Sequence, residues 1–156
     1  MKSESAIALP PVSQVGIVVK DIEKTAAFYY STFGIGPFAI VPEVKFEGAM
    51  LRGQPISTSI KVAFAQSGPV QIELIQPLEG KNIYTEFLDS RGEGLHHLGF
   101  QVDDFDGLLA RFKSKGIEPV FWHHLGLMAF AYLSTDRIGG VIIELLWSKK
   151  PEKSQR

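Results

Sequence analysis

Two short runs along the chain alternate apolar with polar or small residues: Gln14-Val15-Gly16-Ile17-Val18-Val19-Lys20-Asp21-Ile22 and His97-Leu98-Gly99-Phe100-Gln101-Val102-Asp103-Asp104-Phe105. A period of two marks a half-buried strand, and the closing Asp is a helix N-cap because its side-chain oxygen accepts an orphan backbone N–H. Behind the first run, Ile22, Ala26, Tyr29 and Phe33 recur at helical spacing, so a helix is expected over 22–33, stopped by Gly34. Behind the second, Phe105, Leu108, Leu109 and Phe112 predict a helix over 105–115, stopped by Gly116. Asp21 and Asp104 are the caps.

Three strand-like stretches follow each helix. In the first half they are Phe38–Val44, Ala49–Ala65 (long, with breaking residues at Gly53 and Pro55) and Val70–Gln76. In the second they are Pro119–His123, Met128–Ser134 and Val141–Trp147. The last strands correspond as the first ones do: Val70-Gln71-Ile72-Glu73-Leu74-Ile75 against Val141-Ile142-Ile143-Glu144-Leu145-Leu146. The pattern is a βαβββ module over 12–76, a connector over 77–94 with a short helix around Ile83–Leu88, and a second module over 95–147. Residues 1–11 and 148–156 read as flexible tails. The fold class is α+β. One such module buries a single face of its sheet, whereas two related by a pseudo-twofold axis can join into a curved, incomplete barrel. Its concave interior is the natural place for a site.

Composition narrows the chemistry. Apolar residues make up 45% of the 156, which supports a real core, and 16 basic residues against 17 acidic ones leave a net charge of −1. That balance offers no footprint for nucleic acid or an anionic membrane. The absence of cysteine removes disulfides, thiolate metal sites and cysteine nucleophiles. With no signal-like or spanning apolar run, the expected location is cytoplasmic.

The repeat isolates four polar positions. Gln14 and His97 open equivalent strands, and Glu73 and Glu144 sit at equivalent places in the closing strands. Because strand side chains alternate between faces, each Glu points away from its apolar neighbours. If those neighbours pack beneath the helices, both carboxylates enter the concavity. Two buried carboxylates need a counter-charge, and a divalent cation would supply it while engaging Gln14 and His97. One nitrogen and three oxygen donors suit Zn, Co, Ni or Mn without choosing among them. The competing reading places each Glu on a solvated outer face and makes the His structural.

The stretch Gly92-Glu93-Gly94-Leu95-His96-His97-Leu98-Gly99-Phe100-Gln101-Val102, with the two Glu-bearing strands and Val15-Gly16-Ile17-Val18-Val19 ahead of Asp21 and Phe28-Tyr29, resembles the vicinal oxygen chelate superfamily. That superfamily holds glyoxalase I, methylmalonyl-CoA epimerases, extradiol dioxygenases and bleomycin-resistance proteins, and the resemblance is nearest to the epimerases. It implies metal ligation by Gln14, Glu73, His97 and Glu144, with His96 on the opposite face. It further implies an epimerase or racemase removing a proton alpha to a carbonyl through a metal-stabilised enolate. Glu144 would be the base and Glu47 a second one. The substrate would be a small carbonyl compound such as an acyl-CoA, and the protein a homodimer. A glyoxalase I-type lyase is the alternative, although Val18 and Pro77 stand where glutathione-binding members carry Arg and Asn. A non-catalytic ligand-binding protein of the bleomycin-resistance kind is another. Phe121, Trp122, His123, His124 and Met128 are candidates to line the pocket, and Lys45, Arg52 and Lys61 to meet a phosphate.

Overall fold

The computed structural model describes residues 5–151. Its elements run β1 (Gln14–Val18), α1 (Ile22–Phe33), β2 (Ala39–Leu51), β3 (Gln54–Ser67), β4 (Val70–Pro77), α2 (Ile83–Arg91), β5 (Gly94–Gln101), α3 (Phe105–Ser114), β6 (Pro119–His124), β7 (Met128–Leu133) and β8 (Ile142–Ser148). Both expected caps form: Asp21 accepts from the Lys24 backbone N–H, and Asp104 from that of Gly107. Gly34 ends α1 in the left-handed region at φ 69°, a conformation that costs glycine nothing.

The first hairpin differs from its expected layout. The apolar pattern places a break after Val44, but β2 continues to Leu51 and turns at Arg52-Gly53, both with positive φ (46° and 79°). That pair of angles suits a tight hairpin turn. Gly48, at φ 76°, accompanies a bulge between Glu47 and Ala49 rather than a turn.

The strands form one ring in the order β1-β4-β3-β2-β6-β7-β8-β5. Within it, 1-4-3-2 and 5-8-7-6 are the same order twice, each beginning with a parallel pair (β1 with β4, β5 with β8). The halves meet at two seams. At β1–β5 all five β1 residues are paired. At β2–β6 only Met50↔Trp122 and Leu51↔Phe121 are paired, so β2 from Ala39 to Ala49 has only β3 beside it among the described residues. The ring is therefore closed by a short contact and keeps a free edge above it.

Three apolar clusters fix the direction of every strand. Outside the first half, Ile22 and Ala26 of α1 pack on Ala63 and Leu74. Outside the second, Phe105 and Phe112 of α3 pack on Ala129, Ala131, Leu133 and Leu145. Ile7 and Leu9 lie on this second cluster too, so part of the segment read as a tail is anchored. Inside the ring, Phe46, Phe121, Phe130 and Tyr132 meet Ile83 and Tyr84 of α2. Burial of each such side chain stabilises the fold by roughly 1.5–3 kcal/mol. No helix among the described residues is long and apolar enough to cross a membrane.

Candidate functional site

With Leu74 committed to α1 and Leu145 to α3, Glu73 and Glu144 must point inward. There they meet the residues that open β1 and β5. His97 Nε2 lies 3.1 Å from Glu144 Oε2 and 3.3 Å from Glu73 Oε2. The inner end of the Gln14 amide lies 3.2 Å from an oxygen of each carboxylate. His97 is fully buried, with Gln14 and Glu144 at 6% and 3% exposure.

Glycines make this approach possible. Across the β1–β5 seam Gly16 pairs with His97 and Gly99 with Gln14. A Cβ at Gly16 would sit 1.9 Å from His97 Cε1, and one at Gly99 would sit 3.0 Å from Gln14 Cβ. Each half thus contributes a polar side chain and, two residues later, the gap that admits the other half's. Both glycines lie in strand interiors, a sign of close approach that is legible in the sequence.

The Gln14 amide can be set in two ways, and the one with oxygen inward puts that oxygen 3.2 Å from an oxygen of each carboxylate, an arrangement that needs a cation among them. With nitrogen inward it donates to both carboxylates. With oxygen inward it donates outward to Gln71 Oε1 at 2.8 Å and presents its oxygen 3.3 Å from His97 Nε2. The first setting satisfies the carboxylates by hydrogen bonding alone. The second gathers three oxygens and a ring nitrogen, a donor set that fits a divalent cation. Among the described residues no three His, Cys, Asp or Glu side chains form a ready metal cluster. The convergence of His97, Glu73 and Glu144 is hydrogen-bonded in kind, with Gln14 as its fourth member.

The electrostatics follow from burial among charges. Burial alone would lower the His97 pKa, but the Glu144 charge and the hydrogen bonds to Glu144 and Glu73 raise it to about 9. Burial raises the Glu73 carboxyl above its ordinary value, against the pull of His97. Tyr132, whose ring stands edge-on to His97 at 4.9 Å, bonds the Tyr84 hydroxyl at 2.7 Å. Burial pushes both phenols well above their usual pKa, so both are neutral hydroxyls.

Two expected placements are corrected. His96 does not point to the opposite face. The β1–β5 register passes from Gly16↔His97 to Ile17↔Leu95, so His96 is the extra residue of a bulge. A bulge interrupts the strict alternation of strand side chains, and both imidazoles touch the inward-facing Tyr132 ring. Glu47 is not brought to the cluster. Phe46 takes the inward place, and Glu47 lies exposed on the outer side, where the Ser57 hydroxyl donates to it at 2.8 Å.

The other candidates divide. Phe121 is core, and His123 rests against Phe46 and Phe130 on the inner side. His124 packs on Trp147, while Trp122 and Met128 are exposed. Arg52 is held by Glu86 through two hydrogen bonds and Lys61 by Glu23, while Lys45 lies on the surface 3.9 Å from Glu43. The cavities beside α1, under α2 and along the first hairpin are not lined by any of the four clustered residues.

Comparison with known proteins adds a family and a direction. Residues 13–132 match the model of the glyoxalase/bleomycin resistance protein/dioxygenase superfamily. The chain is 26% identical to the uncharacterised YqjC protein of Bacillus subtilis, over 92% of this chain and 96% of that one. It is 27% identical to the human mitochondrial methylmalonyl-CoA epimerase, over 86% of this chain and 72% of the human one. In fold it is similar to a Streptomyces coelicolor methylmalonyl-CoA epimerase solved with 2-nitronate-propionyl-CoA. That likeness has a TM-score of 0.71 at 22% identity and covers 92% of this chain and 100% of that one.

Proposed function

The chain belongs to the glyoxalase/bleomycin resistance protein/dioxygenase superfamily, and within it we propose that the protein is a metal-dependent epimerase or racemase acting alpha to a carbonyl. The observation that carries this reading is the meeting of Gln14, Glu73, His97 and Glu144, two from each half, at one buried point. These four residues would hold a Zn, Co, Ni or Mn ion. Such an ion supplies a positive charge beside a carbonyl oxygen, which acidifies the neighbouring carbon.

The chain's own groups do the rest. Inversion of a carbon centre needs a proton acceptor on one face and a donor on the other. Glu144 is the proposed base. With Glu47 on the outer surface, Glu73 is the carboxylate left to serve the opposite face, since it stands on the strand equivalent to that of Glu144. Tyr132 and the inner aromatic cluster keep water from the reacting carbon.

The substrate class is a small carbonyl compound, and an acyl-CoA thioester is the first choice, because epimerases of this fold have been solved with such ligands. A glyoxalase-type lyase stands second. Val18 is fully buried in the inner core and Pro77 is paired with Ile60, so neither offers a partner to glutathione carboxylates. The free β2 edge supports a homodimer, since unpaired strand edges seek cover.

The test is deuterium incorporation at the alpha carbon in heavy water, with acyl-CoA thioesters and chiral ketones as substrates and a glutathione hemithioacetal as control. Exchange with a thioester or ketone supports the reading. Turnover of the hemithioacetal alone makes the protein a lyase, and oxygen uptake with a catechol overturns the carbon-acid chemistry.

A further inference from the structure

The bulge that turns His96 inward also sets its Nδ1 3.0 Å from His97 Nδ1. Two ring nitrogens at that distance share one proton, with one giving and the other accepting. We propose that His96 is the positioning residue of His97: its Nδ1 accepts the His97 Nδ1–H, so that Nε2, which faces Gln14, Glu73 and Glu144, is the nitrogen that would release its proton to take a cation. This rests on the reading of those four as a cation site, because a ring that ligates through Nε2 keeps its proton on Nδ1 and requires an acceptor there.

Two further observations support the assignment. The His96 ring is locked in place by Phe87 at 5.0 Å, Tyr84 at 5.2 Å and Tyr132 at 5.7 Å, all tilted or edge-on, so its Nδ1 cannot swing away. His96 Nε2 is buried and has no partner within the protein, although the residue is only 1% exposed. In the assigned state that atom carries the proton of His96. The ring borders a cavity of about 180 Å³ under α2, also lined by Ser90 and Asp136. The converse arrangement, with His96 donating to His97, leaves the His97 proton on Nε2, where the cation would bind.

Nitrogen-15 NMR of the full chain, before and after one equivalent of Zn²⁺, tests this without any substrate. The expected result is a Zn²⁺-induced shift at His97 Nε2, with the proton on His97 Nδ1 and the His96 proton on Nε2. Zn²⁺ bound at His97 Nε2 with the shared proton on His96 Nδ1 overturns the proposal and leaves the cation site standing. No Zn²⁺ effect at His97 overturns the cation site and this proposal with it. A second arm measures Zn²⁺ affinity by competition with a chromophoric chelator. His96→Phe, which keeps a ring but no acceptor, should lose about 10–100-fold. His96→Asn, which restores an acceptor near the Nδ1 position, should recover most of that loss. Equal affinity for folded His96→Phe and wild type contradicts the role. Should His96→Phe fail to fold, the NMR result on the wild type decides.

Discussion

The two halves of the barrel use one plan with different local detail. Each opens with a polar residue, spaces it two positions from a glycine, and places a Glu in its closing strand: Gln14, Gly16 and Glu73 in the first, His97, Gly99 and Glu144 in the second. Register makes the equivalence physical, since Gly16 lies beside Glu73 and Gly99 beside Glu144. The difference lies in β5. Its bulge tips the His97 ring over Gly16, so the contact that a Cβ would make there is far closer than the one at Gly99. The repeated fold supplies the carboxylates symmetrically, and a single extra residue makes one side of the site different from the other.

The largest expected effect comes from breaking the symmetry of the carboxylates. Glu144→Gln and Glu73→Gln should each lower epimerisation by about 10²–10⁴-fold, the usual contribution of a general base. Each should leave slow solvent exchange on one epimer only, and the two variants should leave it on opposite epimers. Exchange on the same epimer in both would show that the halves are not chemically equivalent.

Next in size are the glycines. Gly16→Ala should displace His97, destabilise the fold by about 1–3 kcal/mol as overpacking does, and remove metal binding. Gly99→Ala should sit at the low end of that range and keep metal, since its nearest contacts are Gln14 Cβ and Leu146 Cδ1 at 3.0 Å. Chemical denaturation beside metal analysis reads both. Equal losses at the two positions would mean that the bulge does not set the asymmetry.

The smallest effect belongs to Glu47→Gln. Glu47 is exposed and bonded to Ser57, so stability should change by no more than about 0.5 kcal/mol, and activity should stay at the wild-type level. A steady-state assay showing a loss comparable to that of Glu144→Gln would bring Glu47 back into the site.

Much of this was legible because period and punctuation agree. The apolar face Ile22, Ala26, Tyr29 and Phe33, bounded by Asp21 and Gly34, specifies α1, and the structure has it over the same residues. The inward direction of Glu73 and Glu144 follows from the apolar residues beside them. The turn at Arg52-Gly53 was harder to locate because Gly48 offers a competing glycine in a run of alternating charges, and only pairing with β3 shows which one bulges and which one turns. The side taken by His96 was not legible: alternation assigns it outward, and a bulge depends on the register of a strand eighty residues earlier in the chain. Glu47 was recoverable, since the adjacent Phe46 claims the inner face.

The central claim is that the four side chains bind a cation rather than one another. Anomalous diffraction from crystals grown with Co²⁺ or Zn²⁺ tests it directly, because the Gln14 amide must choose a setting. One strong peak is expected about 2.0–2.2 Å from Gln14 Oε1, His97 Nε2 and an oxygen each of Glu73 and Glu144. The absence of a peak at that point, with the Gln14 nitrogen turned inward between the two carboxylates, would contradict it.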